Sequence, residues 1–530
     1  MILIWLIILL TGSGLLAWLA GRWSNTLPRV ISLVANLVQL GIVIALWLKS
    51  VPGTEGQWVT SYAHAWVTGF GIQVKLAADG LSLLMLLLTS FMGTISVLAS
   101  WKEINKNVGF FHFNLMLVLA GITGVFLALD LFLLYFFWEL MLIPMYFLIS
   151  IWGHENKTYA ATKFFLFTQA SGLLMFLAIL ALYFIHGANT GVYTFDYEQL
   201  LGTSMAPNVA FLLMIGFVIA FTVKLSTVPL HSWLPDAHTQ APTAGSVILA
   251  ALLLKTGAYG LIRFVLPLFP QASQQFAPVA MALGVISILY GAKLAFAQTD
   301  LKRLVAYISV SHMGFILLGI YAFNEMAMQG VVMQIIVHGI STGALFIIAG
   351  ALSHRIHTRE LAQMGGLWSK VPRMGAMGLI FMLASLGLPG LGNFVAEILI
   401  LIGSFPSNQL LTILATIGLV TATVYSLRIM QKVFYGKTHN KWEIADFGIR
   451  EMMVMSSLTA AIIWLGLFPS PVLRLSENPV RNIIEKVNQS QTAAEKSTPN
   501  EAVAKDYILV RWPKEELHFN TKNKNVNTNK

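Results

Sequence analysis

Residues 208–238 read NVAFLLMIGFVIAFTVKLSTVPLHSWLPDAH, a long apolar run that is followed by two prolines. An apolar run of about 20 residues crosses a hydrocarbon core of about 30 Å as a helix. Pro229 interrupts that helix at membrane depth, because proline removes an amide donor and clashes with the preceding turn. A bilayer tolerates such a break only where it is packed in protein or lines a wet cavity. The stretch therefore predicts a discontinuous membrane-spanning helix with a buried lysine, Lys224.

The composition of the whole chain also indicates a membrane protein. Of its 530 residues, 57% are hydrophobic and 11% are charged, whereas soluble domains average about 45–50% apolar and about 25% charged residues. The net charge of +10 would suggest nucleic-acid binding in a soluble protein, but these basic residues lie between apolar spans, and no nucleic-acid partner is expected. Because cysteine is absent from the sequence, disulfides, thiolate zinc sites and cysteine-ligated iron–sulfur clusters are excluded within this chain.

About fourteen apolar segments have the length that a bilayer requires, which predicts an all-α polytopic fold in one membrane domain. Like the seventh, the twelfth is discontinuous, because the sequence GLPG at 387–390 interrupts it just before Glu397. Interrupted helices at corresponding places in two halves indicate an inverted repeat with an ion site between the halves. We expect two inverted five-helix repeats, at 111–266 and 277–430. The segments are 2–20, 29–49, 80–100, 111–129, 131–152, 161–185, 208–228, 243–266, 277–297, 303–322, 328–352, 374–404, 409–430 and 451–469.

The remaining segments complete the predicted organisation. Residues 1–110 contain three transmembrane helices and a loop or hairpin at 50–79, in which residues 69–76 alternate like a strand. A last transmembrane helix is expected at 451–469. The polar tail at 475–530 is expected to be disordered, because its apolar content is low.

Basic residues are distributed unevenly between the two sides of the predicted membrane domain. The loops after odd-numbered spans carry nearly all of them, among them Lys102, Lys302 and Arg355, and Lys75 is the main exception. The positive-inside rule places such loops in the cytoplasm. Because the number of spans is even, both termini are then expected on the outer side of the membrane, together with the 50–79 segment.

Six titratable side chains are expected near the middle of the bilayer. A charged residue there costs about 2.5–3.5 kcal/mol even on lenient insertion scales. One isolated pair could be an inert staple between helices, but six groups on six helices favour a proton relay, since buried lysines and histidines exchange protons readily. A carboxylate beside a lysine keeps the lysine charged, and moving the carboxylate away releases the proton. The candidate residues are Glu139, Lys224, Lys255, His312, His338 and Glu397.

Other titratable residues leave alternatives open. His231, Asp236 and His238 follow the break in the seventh span, where they form either a metal cluster or a hydrated entry vestibule. The vestibule is favoured and no metal site is predicted, because zinc needs three or four well-placed ligands. Lys293 lies near a helix end, where its side chain either snorkels to the membrane surface or joins the relay.

Several motifs resemble the antiporter-like subunits of NADH:quinone oxidoreductase, which is respiratory complex I. The resemblance covers about residues 75–470, and the motif of the seventh span is its long and specific part. The motifs are Phe137-Trp138-Glu139-Leu140, Trp152-Gly153-His154-Glu155, Lys224 with Pro229 through His238, Ala241-Pro242-Thr243, Asp300-Leu301-Lys302-Arg303, and Asn393-Phe394 with Glu397.

The resemblance implies a proton-pumping function and a role for each candidate residue. Glu139 and Lys224 would form an ion pair on the fifth and seventh helices. Lys255 would be the central relay lysine on the eighth helix. Two histidines would link that lysine to the last group before the outer side, namely His312 and His338 leading to Glu397.

The resemblance also implies partners and a location. Members of this family hold no cofactor, and the NADH, FMN, iron–sulfur clusters and quinone belong to partner subunits. The partners would be other membrane subunits of complex I, including homologous antiporter-like ones, in the inner membrane of a bacterium. A subunit of a multisubunit Na⁺/H⁺ antiporter is the alternative, although a lysine is expected there in place of Glu397. A second alternative is a non-conducting subunit whose buried charges only fix the register of the helices.

Overall fold

The computed structural model describes residues 1–49, 58–437 and 442–497. Within these ranges thirteen helices are long and apolar enough to cross a membrane, which confirms the predicted all-α polytopic fold. In chain order the elements are α1 (Ile2–Ala20), α2 (Leu27–Lys49), β1 (Thr60–Val67), β2 (Ile72–Ala78), α3 (Gly80–Ala99), α4 (Val108–Leu127), α5 (Leu131–Trp152), α6 (Lys157–Thr190), α7 (Pro207–Leu225), α8 (Trp233–Gln240), α9 (Thr243–Leu268), α10 (Pro270–Ala297), α11 (Leu301–Ile320), α12 (Glu325–Ile356), α13 (Pro372–Ser385), α14 (Gly392–Ser404), α15 (Gln409–Tyr435), α16 (Ile449–Leu467) and α17 (Ser470–Ser497).

Two places in the chain divide an apolar segment into shorter helices. After α7 the chain turns at Ser226, which has a φ of 63°, and the short helix α8 follows. The segment expected at 374–404 consists of α13 and α14, which have 14 and 13 residues. Gly387 and Gly390 lie between them with φ values of 78° and 93°, a conformation that residues with a Cβ rarely adopt. The described chain therefore has thirteen full-length spans and one divided segment, where the sequence suggested about fourteen spans.

Polar residues in the connecting loops begin several of the helices. At the start of α3, the Asp79 carboxylate accepts a hydrogen bond from the Ser82 amide at 2.9 Å. Asp130, Asp300 and Asn324 cap α5, α11 and α12 in the same way. Each cap satisfies amide groups that have no partner inside the helix, and so it fixes the residue at which the apolar span begins.

Strands β1 and β2 form an antiparallel hairpin between α2 and α3, while residues 50–57 before it lie outside the described residues. Lys75 on β2 pairs with Asp196 at 2.8 Å and with Glu198 at 2.5 Å. Burial by itself lowers the pKa of Lys75, but the hydrogen bonds and charges of the two carboxylates outweigh it and raise that pKa above its usual value. The hairpin is thereby tied to the connection between α6 and α7.

The prediction of a disordered tail from residue 475 is wrong for the part that the structure describes, because residues 470–497 form α17. This helix packs against α3, α10 and α12. Its few apolar residues follow the i, i+3, i+4, i+7 spacing that places them on one face of a helix, although the segment as a whole is polar. Residues 498–530 of the predicted tail lie outside the described residues. The buried apolar residues of this face are Val480, Ile483, Ile484 and Val487.

A buried ion pair joins the start of α3 to the end of α9. The Arg263 guanidinium contacts the Asp79 carboxylate, and each of the two side chains is only 4% exposed. The guanidinium also lies over the Trp58 ring, 5.2 Å from its centroid, and its Nε donates to the Tyr259 hydroxyl at 3.3 Å. The Tyr259 hydroxyl in turn lies 2.9 Å from the Ser82 hydroxyl. The end of α9 is therefore fixed by polar contacts as well as by apolar packing.

We expect Asp79→Ala to destabilise the protein by about 3–5 kcal/mol, because it leaves the Arg263 guanidinium buried without its counter-ion. The measurement is the thermal unfolding midpoint of the purified protein in detergent. Glu477→Ala is the matched control, since Glu477 and Arg481 form a pair in which both side chains are 43% exposed. Removing an exposed pair costs about 0–1 kcal/mol. Equal losses of stability in the two variants would contradict the importance of the buried pair.

Candidate functional site

Five of the six predicted relay residues are almost completely buried in the helix bundle, whereas Glu139 on α5 is partly exposed. The buried residues come from five different helices, α7, α9, α11, α12 and α14, which bring them into the interior from separate parts of the sequence. Each has a side chain that gains or loses a proton, and each is removed from bulk water. The five residues, each with 2% exposure or less, are Lys224, Lys255, His312, His338 and Glu397.

Lys255 on α9 contacts His338 on α12, with 2.6 Å between the lysine Nζ and the histidine Nδ1. The same Nζ donates a hydrogen bond to the Ala250 carbonyl at 2.9 Å. Ala250 belongs to a π-helical turn, Leu249–Leu253, that directly precedes the lysine in the chain. Such turns are rare within α-helices and occur frequently at functional sites. The lysine is thereby held against an imidazole that can take up or return its proton.

Beyond His338, a second histidine and a carboxylate extend the series. The rings of His338 and His312 have centroids 5.5 Å apart, and His312 Nδ1 lies 3.0 Å from Glu397 Oε1. The break between α13 and α14 lies beside this carboxylate, since a Cβ added to Gly387 would be 2.9 Å from Glu397 Oε2. The structure therefore brings four of the predicted residues into one buried series, Lys255–His338–His312–Glu397, which begins near the middle of α9 and ends at a helix break.

Three polar side chains surround His312, and the sequence analysis did not identify them. Gln334 Nε2 lies 3.3 Å from the imidazole Nδ1, and the hydroxyls of Ser385 and Tyr425 each lie 3.3 Å from its Nε2. Gln334 could have been noticed, because it is a polar residue one helical turn before His338 in an apolar span. Ser385 and Tyr425 carry no comparable signal. Together these groups hold both ring nitrogens of His312 in a polar environment.

The structure does not show the ion pair expected between Glu139 and Lys224. Among the described residues, no ion pair within 4.0 Å includes Lys224 or Glu139, although several other residues form such pairs. The Lys224 ammonium instead lies over two aromatic rings, 5.3 Å from the Trp138 centroid and 5.4 Å from the Phe164 centroid. The Glu139 carboxylate interacts with the side chain of Gln169. In this arrangement each of the two groups therefore has neighbours other than its expected partner.

We expect Gly172→Ala to impair the site without preventing folding. A Cβ at this position of α6 would lie 2.8 Å from Glu139 Oε1, which is too close, so that the flexible end of the glutamate must move. The resemblance implies that the placement of Glu139 relative to Lys224 controls proton release, and on that expectation turnover should fall about threefold to tenfold. The measurement is the rate of quinone-linked NADH oxidation, the activity that the resemblance implies, at equal amounts of assembled protein. Gly41→Ala, which meets no atom within 4 Å, is the matched control. An unchanged rate in Gly172→Ala would contradict the expectation.

The structure does not gather His231, Asp236 and His238 into one cluster. Asp236 pairs with Lys163 at 2.7 Å, whereas the His238 ring lies flat on the Phe346 ring with centroids 4.3 Å apart. Among the described residues, no three His, Cys, Asp or Glu side chains are arranged to hold a metal ion. The interpretation of these residues as an entry vestibule stays a prediction. Lys293 is exposed on α10, in contrast to the buried series.

A cavity of about 700 Å³ opens among the loops that carry basic residues, and Glu103, Lys302 and His354 form part of its wall. Glu103 Oε1 accepts a hydrogen bond from the Thr243 amide at the start of α9, at 3.0 Å. Lys302 is 1% exposed and donates to the Ala241 carbonyl at 2.9 Å. From the sequence, Lys302 was noted as a marker of topology and as part of a family motif but not as a site residue, and Glu103 was not noted, because neither lies within a predicted span.

Comparison with known proteins assigns a family to the chain. The family model described as NADH:quinone oxidoreductase/Mrp antiporter, TM, matches residues 128–424. The chain is 54% identical over 488 residues to NADH-quinone oxidoreductase subunit M of Pseudomonas aeruginosa, covering 90% of this chain and 96% of that protein. It is 52% identical over 496 residues to the subunit M of Escherichia coli strain K12, covering 91% of this chain and 97% of that protein.

Solved structures agree with these relatives. A chain of respiratory complex I from Thermus thermophilus matches with a TM-score of 0.83 and 28% identity, covering 92% of this chain and 99% of that chain. A chain of the Mrp complex from Dietzia sp. DQ12-45-1b shares the fold, with a TM-score of 0.79 and 21% identity over 92% of this chain and 98% of that chain. The resemblance found in the sequence motifs is confirmed: the chain belongs to the NADH:quinone oxidoreductase/Mrp antiporter transmembrane family.

Proposed function

We propose that this chain is the proton-translocating membrane subunit of a bacterial NADH:quinone oxidoreductase, the subunit called M in its relatives. The observation that carries the proposal is the buried series Lys255–His338–His312–Glu397. The first and last of its links are within hydrogen-bond distance, and the two imidazole rings between them have centroids 5.5 Å apart, a separation that one water can bridge. NADH, FMN, iron–sulfur clusters and quinone belong to partner subunits, and electron transfer there supplies the energy. This chain contributes no redox step and moves protons only.

The first part of the proposed mechanism concerns Glu139 and Lys224. When the carboxylate approaches, it favours the charged ammonium, so that Lys224 takes up a proton from the side of the basic loops. When the two groups separate, the buried ammonium is no longer stabilised by that carboxylate, and its proton passes to Lys255 on the adjacent helix. Close packing of α7 and α9 supports this step, because a Cβ on Gly257 would lie 2.4 Å from the Phe221 carbonyl.

The second part carries the proton from Lys255 to the opposite side. The Lys255 ammonium gives its proton to His338, which lies 2.6 Å away. The protonated His338 gives it to His312 through one water, because the ring centroids are 5.5 Å apart, and His312 gives it to the Glu397 carboxylate 3.0 Å away. Each step leaves the donor able to accept the next proton. Glu397 then releases the proton beside the break between α13 and α14.

The same proposal includes the repeats and the orientation in the membrane. Two inverted five-helix repeats, at 111–266 and 277–430, place the breaks after α7 and α13 at corresponding positions. The loops with basic residues and the 700 Å³ cavity face the cytoplasm, and both termini lie on the periplasmic side of the inner membrane. Other membrane subunits of the complex, some of them homologous to this one, lie beside it in the bilayer.

A subunit of a multisubunit Na⁺/H⁺ antiporter is the second candidate, because a chain of the Mrp complex shares the fold. Two observations favour the first candidate. The relatives with more than half of their residues identical are named NADH-quinone oxidoreductase subunit M. In addition, residue 397 is a glutamate, whereas the resemblance leads us to expect a lysine at this position in the antiporter relatives.

The test is to purify the chain with its partners from bacterial membranes through an affinity tag. We expect NADH-oxidising activity and iron–sulfur proteins to co-purify with it. After reconstitution into phospholipid vesicles, NADH and a short-chain quinone should drive proton movement that does not change when Na⁺ is replaced by choline. A chain that purifies without NADH-oxidising activity and exchanges Na⁺ for H⁺ in the absence of NADH would overturn the proposal in favour of the antiporter.

A further inference from the structure

The surroundings of the Lys224 ammonium are aromatic. Lys224 is 1% exposed, and its Nζ lies over the ring of Trp138 from α5 and over the ring of Phe164 from α6. Both distances to the ring centroids, 5.3 and 5.4 Å, are within the range of cation–π contacts. Among the described residues, no oxygen or nitrogen atom accepts a hydrogen bond from this Nζ. The two ring faces are therefore the polarisable surfaces nearest to the charge.

The two rings are held in place by other aromatic residues. Trp138 makes an edge contact with Phe221 on α7, with centroids 5.3 Å apart, and Phe164 packs against Trp233 on α8, with centroids 5.2 Å apart. Trp138 is 1% exposed and Phe164 is fully buried. Because both rings are buried and each contacts a further aromatic ring, their positions are restricted by packing. We name the pair Trp138 and Phe164 the aromatic cage.

The aromatic cage adjoins the carboxylate that is expected to pair with the same lysine. Trp138 directly precedes Glu139 in the chain, and both residues contact one position of α6. A Cβ on Gly172 would lie 2.8 Å from Glu139 Oε1 and 3.5 Å from Trp138 Nε1. The lysine thus has two neighbouring environments, a carboxylate and a pair of ring faces. Either one favours the charged form, since the attraction to a ring face requires a positive charge.

We propose that the aromatic cage is a second holding position for the charged Lys224, occupied when the pair with Glu139 is open. This inference rests on the proposed function and deepens it, because it assigns two positioning residues to the first proton transfer. The cage partly offsets the loss of the carboxylate, so that Lys224 keeps its proton after the pair has opened and until the proton passes to Lys255. Trp138 and Phe164 bind no proton themselves and act through the lysine.

The test replaces Trp138 with tryptophans that carry one to four ring fluorines, by nonsense suppression in the intact complex. Fluorine weakens the negative ring face while leaving the size of the side chain nearly unchanged. The complex is reconstituted into phospholipid vesicles, and protons moved per NADH oxidised are measured. We expect a stepwise decrease that reaches about fivefold with the most fluorinated ring. The matched control is the same series of fluorinated tryptophans at Trp152, at the far end of α5, where the Nε1 donates to the Lys106 carbonyl. Fluorination there should leave the number of protons moved per NADH unchanged.

Two substitutions separate the aromatic cage from simple packing. Trp138→Phe retains a ring face and should keep most of the pumping, whereas Trp138→Leu should lose it. Phe137→Leu, next to the cage on the same helix, controls for lost aromatic volume. A flat fluorine series, or equal pumping in Trp138→Phe and Trp138→Leu, would overturn the aromatic cage. Normal pumping in Lys224→Ala would instead overturn the proposed function, so that the two failures are distinguishable.

Discussion

Replacement of Lys255 by alanine is expected to reduce NADH-driven proton pumping at least tenfold, at unchanged amounts of assembled complex. Lys255 is fully buried and is the first member of the series that leads to Glu397. Without its amine, His338 loses the proton donor that lies 2.6 Å from its Nδ1, and proton transfer requires groups within hydrogen-bond distance or one water apart. The measurement is vesicle acidification driven by NADH, together with the rate of quinone-linked NADH oxidation.

A second substitution at the same residue distinguishes a relay from a staple. Lys255→Arg keeps the positive charge but cannot release a proton at physiological pH. If Lys255 only fixes the register of α9, arginine should restore function; if it passes protons, arginine should be as inactive as alanine. Lys293→Ala is the matched control, because Lys293 is exposed on α10 and is expected to be dispensable. Full activity of Lys255→Arg would refute the role of Lys255 as a proton carrier.

The second large effect is expected at the separated pair of Glu139 and Lys224. We expect Glu139→Ala and Lys224→Ala each to lower proton pumping and quinone-linked turnover at least tenfold, because in the proposed mechanism each substitution removes one of the two groups that control uptake and release of the proton. The double variant should be no worse than either single variant, since residues that act as one unit have strongly non-additive effects. The measurement uses the complex reconstituted into phospholipid vesicles.

Glu155→Gln is the matched control for this pair, because Glu155 lies in the loop after α5 and is exposed. Its pumping and turnover should equal those of the unmodified protein. Assembly is checked separately by NADH oxidation with an artificial electron acceptor, a reaction that proceeds without proton pumping by the membrane subunits. Normal pumping in both Glu139→Ala and Lys224→Ala would show that the relay is wrong. If less complex assembles, but the complex that does assemble pumps protons normally, the result would favour a non-conducting structural subunit.

Much of the site could be anticipated from the sequence because buried charge is costly. Lys255 and Glu397 stand out within apolar spans, and the free energy of burying them demands a reason. Their partners could not be anticipated in the same way. Trp138 and Tyr425 look like ordinary packing residues, and only the positions of α5, α7, α11 and α15 in space bring them to a lysine and a histidine.

For the fold too, features set by the local sequence could be predicted, whereas features that depend on contacts between distant helices could not. The GLPG sequence at 387–390 predicted a break before Glu397, because the effects of glycine and proline on the backbone are local. The helix α17 was missed, because its composition is polar and its buried apolar positions become informative only when α3 and α12 cover them. The separation of Glu139 and Lys224 was equally hidden, since side-chain placement depends on neighbours that one helix does not contain.

The depth of the buried series has a consequence for how the membrane voltage acts on the protein. Lys255, His338 and His312 each lie near the middle of their helices α9, α12 and α11. A proton that moves parallel to the membrane plane, at constant depth, crosses little of the transmembrane electric field. The work of about 2.3 kcal/mol per elementary charge at 100 mV applies only to a charge that crosses the whole membrane. In the proposed relay, the membrane voltage would therefore oppose mainly the entry and exit of the proton, whereas transfer along the series at constant depth would be nearly independent of that voltage.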